Sequence, residues 1–131
     1  MRLKNFVCVV MLIQVLNLHS QDTFSILGID SITGEIGAAG ASCVDLFSTP
    51  FTNDFICELF PDTGAIASQA SYITTNQAKA RARMRAGDTP SQILSYVYNN
   101  DANVASAETR QYGALRKVNG SILRAAFTGT G

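Results

Sequence analysis

The residue whose type and position could first do chemistry is Thr23, which opens the run Thr23 to Asp30 (TFSILGID) just after an apolar N-terminal segment. A threonine at a chain terminus can act as a nucleophile, because its own α-amine has a pKa of about 8 and lies within reach of the hydroxyl as a general base. Such an enzyme needs no histidine. The alternative is that Thr23 is an ordinary strand residue.

The segment before Thr23 has the pattern of a secretory signal peptide. Basic residues at the start precede an apolar run from Phe6 to Leu18, and Ser20 supplies a small residue at the cleavage position. A membrane anchor is the rival interpretation, but the run is shorter than the roughly 20 apolar residues that cross a bilayer. We therefore predict a signal peptide over residues 1–20, export of residues 21–131 to the periplasm or the outside, and membrane contact only through an uncleaved signal.

Cleavage after Ser20 would leave two residues, Gln21 and Asp22, in front of Thr23. Thr23 would then have no free amine, so the built-in base requires a second trimming protease or an autocatalytic cut. The alternative is a chain that keeps the fold and has lost or changed the chemistry.

The composition of residues 21–131 excludes several classes of function. Loss of Arg2 and Lys4 leaves eight basic residues against ten acidic ones, a charge balance that does not indicate a nucleic-acid partner. Loss of His19, the single histidine, excludes a Ser-His-Asp triad, a Cys-His pair and a histidine-containing zinc site within this sequence. We find no metal, nucleotide or flavin motif, so no cofactor is predicted. The sequence assigns no oligomeric state.

Two cysteines, Cys43 and Cys57, remain after signal cleavage. In an oxidising compartment they could form a disulfide that closes a loop of about 15 residues and stabilises the fold by about 3 kcal/mol. The functional alternative is a free thiol at Cys43, although no histidine is available to activate it.

The elements that must position these side chains read as strand, strand, strand, helix, helix, strand, strand. Helices grouped between antiparallel hairpins predict an α+β domain with the helices on one face of a sheet. The segment Val44 to Asp62 reads as a packed loop with one short helical turn around residues 53–60. The remaining expected elements are strands over 23–30, 36–43, 64–72, 110–118 and 121–128, with helices from Thr75 to Met84 and from Pro90 to about Asn99.

Local signals mark several boundaries of these elements. Gly87 suits a helix C-terminal cap, Thr89 and Pro90 suit the start of the second helix, and Asn119-Gly120 suits a type I′ turn. The first helix also carries a group of basic residues, which favours a solvated surface over an anion site because they spread around the helix: Lys79, Arg81, Arg83 and Arg85.

Four blocks of the chain, in order, resemble the bacterial family called domain of unknown function 1028, which is grouped with the N-terminal nucleophile (Ntn) hydrolases. They are TFSILGIDSITGEIGAAGASC, TGAIASQASYITTN, RAGDTPSQIL and RQYGALRKVNGSILRAAFTGTG. The resemblance covers residues 23–131 and implies a four-layer αββα sandwich. It also implies that residues 21–131 are the N-terminal portion of a longer domain, because family members continue past the Thr-Gly-x-Gly block.

The resemblance places Thr23 at the position of the candidate nucleophile. Ser25 alternates with Phe24, is expected on the same side as Thr23, and is a further candidate oxyanion or substrate contact. Gln69 and Asn76, in the block SQASYITTN, are candidate oxyanion or substrate contacts, with turn and strand-end hydrogen bonding as the alternative role.

Two functions are the main candidates, and a structural accessory domain within a longer chain is a third. The first is an exported Ntn-type amidohydrolase that cuts a small amide or peptide bond through Thr23. The alternative is a non-catalytic exported binding module of the same fold, whose small-residue strands line a groove.

Overall fold

Two antiparallel sheets and two helices make up the part of the chain that the computed structural model describes, residues 23–44 and 55–130. The strands are β1 (Phe24–Ile29), β2 (Ile36–Ala41), β3 (Cys57–Phe60), β4 (Gly64–Gln69), β5 (Gln111–Val118) and β6 (Ser121–Thr128). The helices are α1 (Thr74–Ala86) and α2 (Pro90–Asn99), followed by a 3₁₀ helix, Val104–Thr109. The expected α+β class is confirmed.

The first sheet is the hairpin of β1 and β2, paired from Phe24↔Ala41 to Ile29↔Ile36. Its turn is held by the carboxylate of Asp30, which accepts hydrogen bonds from the backbone N–H groups of Ile32 (2.7 Å) and Thr33 (2.8 Å). These bonds lower the pKa of Asp30, since they favour the charged form. The predicted first hairpin is therefore confirmed.

The second sheet has four antiparallel strands in the order β3-β4-β5-β6. Its last two strands are joined at Asn119 (φ 49°) and Gly120 (φ 80°), the two positive φ angles that a type I′ turn requires. The register, from Gln111↔Thr128 to Val118↔Ser121, confirms the predicted hairpin.

The helix boundaries follow the local signals. Thr89 caps α2 through a capping box with Gln92, whose side chain accepts a 2.9 Å bond from the Thr89 N–H. Helix α1 ends at Gly87, which has a left-handed φ of 97°. The guanidinium of Arg116 on β5 reinforces that end by donating to the carbonyls of Met84 (2.8 Å) and Asp88 (3.0 Å).

The hydrophobic core lies between the helices and one face of the four-stranded sheet. Alternate residues of the strands, among them Ile66 and Tyr112, point towards the helices and bury against them. The helices contribute Met84, Ile93 and Val97, each fully buried. Burying apolar side chains on this scale is the main favourable contribution to folding.

The first hairpin packs on the opposite face of the four-stranded sheet. β1 contacts β4 and β5, and β2 contacts β3 and β4. The described residues therefore form three layers: helices, four-stranded sheet, two-stranded sheet. The outer face of the hairpin stays exposed, with Phe24 at 64% and Ile26 at 68% of full exposure.

One predicted element is wrong. Residues 57–60, expected in a helical turn, form the edge strand β3, paired from Cys57↔Ala67 to Phe60↔Gly64. The reason is that alternate residues of this segment, Glu58 and Phe60, are buried towards the helices, and four residues are too few to show this alternation in the sequence. Residues 45–54 of that loop and the predicted signal peptide lie outside the described residues.

Two smaller differences concern the ends of elements. The third expected strand stops at Gln69, because Ala70 (φ 54°) and Ser71 (φ 51°) take left-handed backbone conformations that end the strand. The 3₁₀ helix Val104–Thr109 is not predicted, since it is short and has no apolar period.

The basic residues of α1 are largely occupied by contacts within the protein. Arg81 forms a salt bridge with Glu58, Arg83 forms one with Asp88, and Lys79 donates to the Asn100 carbonyl. This pairing does not support an anion site on α1. In the described part of the chain, no helix combines the length and the apolar character needed to cross a membrane.

Candidate functional site

Thr23 lies directly before β1, at the end of the hairpin opposite its turn. Its Oγ1 lies 2.8 Å from Oγ of Ser42, the residue that continues β2 across from it. Phe24 pairs with Ala41, so in the same antiparallel register Thr23 lies opposite Ser42. Because side chains alternate along a strand, Thr23 shares the inward hairpin face with Ser25. This agrees with the expectation from sequence.

Ser25 connects the two sheets. Its Oγ donates a 3.0 Å hydrogen bond to Oε1 of Gln69, at the end of β4. The Nε2 of Gln69 in turn donates a 2.9 Å bond to Oε1 of Gln111, at the start of β5. The result is a hydroxyl and two amides in one chain of hydrogen bonds, on the face of the four-stranded sheet that the hairpin covers.

The thiol of Cys57 joins this cluster from β3. Its Sγ lies 3.9 Å from the carbonyl oxygen of Ala39. Burial between the sheets raises the pKa of the Cys57 thiol, and a hydrogen bond with the Ser25 hydroxyl partly opposes that rise. A raised pKa keeps the sulfur protonated at neutral pH, so Cys57 is a poor nucleophile here.

Cys43 is exposed, and both cysteines are free thiols in the structure. The disulfide between Cys43 and Cys57 stays a prediction for the oxidised protein.

The backbone beyond Gln69 is fixed by a buried ion pair. The guanidinium of Arg110 donates from Nη1 to the carbonyl of Ser71, within the left-handed pair Ala70 and Ser71. Arg110 itself is held by Asp101, with Nε to Oδ2 at 2.6 Å and Nη2 to Oδ1 at 3.1 Å. Backbone in this region of φ is unfavourable for residues other than glycine, and it persists where surrounding contacts hold it.

Asn76 lies on the other face of the sheet, away from the Ser25 cluster. Its Nδ2 donates to Oδ2 of Asp101 (2.8 Å) and to the Tyr112 hydroxyl (3.0 Å), and its Oδ1 accepts from the N–H of Ala102 (2.9 Å). A buried amide with these partners has a structural role. The placement supports the alternative role for Asn76 and not a substrate contact.

Asp101 is the charged centre of that buried network. The hydrogen bond from Arg110 is the main cause that lowers the pKa of Asp101, with further contributions from Asn103 and Asn76, while burial opposes them. Burial raises the pKa of Tyr112. The network lies between α1 and the sheet, so its ionised pair serves the fold beneath the site.

A groove of about 590 Å³ opens beside β1, over β5 and β6. Ser25, Gln69 and Gln111 lie at one part of its wall, so the hydrogen-bonded cluster faces the groove. Its other lining residues include Leu27, Ala67, Gly113, Leu115, Arg124, Ala126 and Thr128. This volume is within the range of small-molecule sites in proteins.

Sequence reasoning missed two members of the site, Ser42 and Gln111. Ser42 had a usable signal, because the predicted hairpin places it opposite Thr23. Gln111 had none, since its meeting with Gln69 depends on the pairing of β4 with β5, Gln69↔Gln111. Within residues 23–44 and 55–130, His, Cys, Asp and Glu side chains form no group of three that could hold a metal ion.

Comparison with known proteins identifies the family. None of the curated proteins matches this chain. Among solved structures, the chain is similar to the crystal structure of protein SPO2555 from Silicibacter pomeroyi, a DUF1028 protein, with 28% identity and a TM-score of 0.63. That similarity covers 82% of this chain and 45% of the other, so the matched part spans less than half the length of the relative. Residues 23–131 match the model for a family of unknown function, DUF1028, and the chain belongs to that family.

Proposed function

We propose that this chain is an exported amidohydrolase of the N-terminal nucleophile type, with Thr23 as the nucleophile once the residues before it have been removed. The observation that carries the proposal is the position of Thr23. It lies at the open end of β1, its hydroxyl is 2.8 Å from Ser42 Oγ, and it shares the inward face with Ser25. A small amide or peptide is the proposed substrate.

The bond-making, bond-breaking and proton-transfer steps need only Thr23 and water. The α-amine of Thr23 takes the proton from Oγ1, and Oγ1 attacks the carbonyl carbon of the amide. The C–N bond breaks, the leaving amine takes the proton, and the acyl group remains as an ester on Oγ1. Water then attacks the ester, which releases the carboxylic acid and restores the Thr23 hydroxyl.

The amides of Gln69 and Gln111 are the proposed donors to the oxyanion. Gln111 accepts the bond from Gln69 through Oε1, which leaves the N–H groups of Gln111 as donors at the groove. Donors that are already fixed in place stabilise a developing negative charge without reorganisation. The bond from Ser25 to Gln69 holds the first of these amides in orientation.

The proposal includes the αββα sandwich of the Ntn hydrolases. One helix layer and two stacked antiparallel sheets support it. A second helix layer over the exposed face of the hairpin would complete that architecture. In the proposal, residues 21–131 are its N-terminal portion.

The first experiment is the intact mass and N-terminal sequence of the protein recovered from its native exported fraction. A start at Thr23 provides the free amine that the mechanism needs. A start at Gln21 leaves the amine two residues away and contradicts the mechanism for that form of the protein.

The second experiment compares chains that begin at Thr23 with Thr23→Ser and Thr23→Ala versions, each tested against an amide and peptide library. We expect turnover with Thr23, partial turnover with serine, and loss of turnover with alanine. Equal turnover of the alanine version would overturn the role of Thr23.

A second candidate function is a non-catalytic exported binding module. The observation in its favour is the groove of about 590 Å³, which is open and lined by a polar cluster whether or not Thr23 is terminal. Binding of a peptide by a chain that starts at Gln21, without turnover, would favour this function.

A further inference from the structure

The groove has two different ends. Across β5 and β6, three paired positions face it in succession: Gln111↔Thr128, Gly113↔Ala126 and Leu115↔Arg124. The first pair is polar and lies beside Ser25 and Gln69, the second is small, and the third carries a positive charge. A ligand along these strands would therefore meet an amide-rich end, a middle lined by small residues and a cationic end.

Arg124 is the charged group of the groove. Among the described residues that line it, Arg124 alone carries a charge, and none is acidic. The ion pairs found within residues 23–44 and 55–130 join other residues, Arg81 with Glu58, for example. A guanidinium without a carboxylate beside it attracts an anionic group of a ligand, and it matches a carboxylate with two parallel hydrogen bonds.

The middle of the groove is lined by small residues, which suit the backbone of an extended peptide better than large side chains. Ala67, Gly113 and Ala126 are paired side by side across β4, β5 and β6. A side-chain carbon on Gly113 would lie at ordinary contact distance from its neighbours, 3.8 Å from Ala67 Cβ and 3.9 Å from Leu27 Cδ1. Small residues on a sheet face leave room for another backbone to approach.

The distance between the two ends of the groove indicates the length of a peptide that would fit it. Thr128 and Arg124 are four residues apart on β6, which corresponds to about 13 Å along a strand. An extended peptide of about four residues covers the same distance.

We propose that the groove binds a short extended peptide through its free C-terminal carboxylate, which pairs with Arg124, while an amide near its other end lies against Ser25, Gln69 and Gln111. The proposal rests on the proposed function and deepens it, since it makes Arg124 a specificity-determining residue for short peptides with a free carboxyl end. In this arrangement Arg124 contacts the ligand about 13 Å along β6 from Thr128, at the end of the groove away from Gln69 and Gln111.

The test measures binding by the full chain in its Thr23→Ala form, which cannot cut the ligand. Fluorescein-labelled tetrapeptides of alanine and leucine, ending either in a free carboxylate or in a carboxamide, are titrated by fluorescence anisotropy. We expect the carboxylate peptide to bind about tenfold more tightly, the difference that one charge-assisted pair at an accessible site provides. The preference should weaken as salt is added.

Variants then assign the preference to Arg124. Arg124→Gln should bind both peptides equally, and Arg124→Lys should keep a smaller preference for the carboxylate because the charge remains and the paired geometry does not. The matched control is Arg85→Gln, which removes an exposed positive charge from α1, outside the groove. A thermal melt of each variant checks that the fold is retained, as expected for the exposed Arg124.

Three results would overturn the proposal: equal binding of the carboxylate and carboxamide peptides, an unchanged preference in Arg124→Gln, or no binding of either peptide. Peptides of two to six residues test the length, and affinity should rise to about four residues and then level off. Failure of the proposed function looks different, because peptides would then bind with the carboxylate preference while the chain that begins at Thr23 leaves them uncut.

Discussion

Ser25 Oγ donates a 3.0 Å hydrogen bond to Gln69 Oε1, and this bond joins the two-stranded sheet to the four-stranded sheet across 44 positions of sequence. Gln69 Nε2 in turn donates a hydrogen bond to Gln111 Oε1. The hairpin that carries Thr23 is thus tied to β4 and β5 by side chains at the candidate site as well as by packing.

Replacement of Ser25 by alanine removes that tie. We expect Ser25→Ala to lower the free energy of unfolding by about 1 kcal/mol, because Gln69 loses a partly buried partner. Urea denaturation of the full chain gives this value. Ser121→Ala, an exposed position at the start of β6, is the control and should stay within about 0.5 kcal/mol of the original protein. Equal effects of the two substitutions would mean that the inter-sheet bond adds nothing to stability.

The buried pair of Asp101 and Arg110 should be the most sensitive point of the fold. Asp101→Ala leaves the Arg110 guanidinium buried without its partner, and breaking a buried pair from one side costs about 3–5 kcal/mol. The double variant Asp101→Ala, Arg110→Met should lose less than the sum of the single changes, since no charge is left unpaired. Denaturant unfolding of the four proteins measures the coupling, and strictly additive losses would contradict it.

Acid should destabilise the protein through Asp101. Its pKa in the folded state is below the ordinary value of 3.8, so its contribution is fully present above about pH 4. The contribution is lost as the pH falls through the lower, folded pKa, because the unfolded state then binds the proton first. Thermal unfolding between pH 2 and pH 7 should therefore show a steeper acid loss in the original protein than in Asp101→Asn.

Asp30 provides the control for the acid experiment. Its pKa is also lowered, by the backbone N–H groups of Thr33 and Ile32, but it lies exposed in the hairpin turn. Asp30→Asn should change the acid dependence much less than Asp101→Asn does. The reverse order would show that the buried pair is not what acid disrupts.

The type I′ turn gives a test of backbone conformation alone. Gly120 has a φ of 80°, and a side-chain carbon there would meet no atom within 4 Å, so Gly120→Ala tests only the φ angle. We expect a loss of about 1 kcal/mol in the free energy of unfolding. Gly28→Ala, also in open space but at an ordinary strand φ, should cause no such loss. Matching losses at both sites would rule out the explanation from φ.

The two thiols should differ in reactivity. Cys43 is exposed, whereas Cys57 is half-buried with a pKa raised by burial, so iodoacetamide at pH 8 should label Cys43 well before Cys57 in the reduced protein. Mass spectrometry of timed samples measures both rates. Protein from the exported fraction that resists labelling until a reductant is added would show that the predicted disulfide forms. Faster labelling of Cys57 would contradict the burial of its thiol.

Much of the secondary structure could be predicted because its causes are local. The Asn119-Gly120 turn, the Thr89-Pro90 helix start and the Gly87 helix end each depend on the conformational preferences of one or two residues. Strand β3 could not be predicted in the same way. Its four residues are too few to show a period, and they form a strand because β4 pairs with them.

The candidate site also combines features that could be predicted from the sequence with features that depend on packing. Sequence alone indicated Thr23, Ser25, Gln69 and Asn76 as one group, but the structure keeps the first three on the hairpin side of the four-stranded sheet and places Asn76 on the helix side. Alternation along a strand is a property of sequence, whereas the layer that covers each face is decided by packing. Asn76 follows the left-handed residues after Gln69, which carry the chain across to the helices.

The sequence by itself determined the turns, the helix ends, the lack of histidine after residue 20 and the family resemblance. Only the tertiary structure decided that Ser25, Gln69 and Gln111, from three different strands, meet at one groove, and that Arg124 lies on its wall. The physical reason is distance along the chain. Local preferences act over a few residues, but these contacts depend on strand register and on the stacking of two sheets, which form only when the whole domain folds.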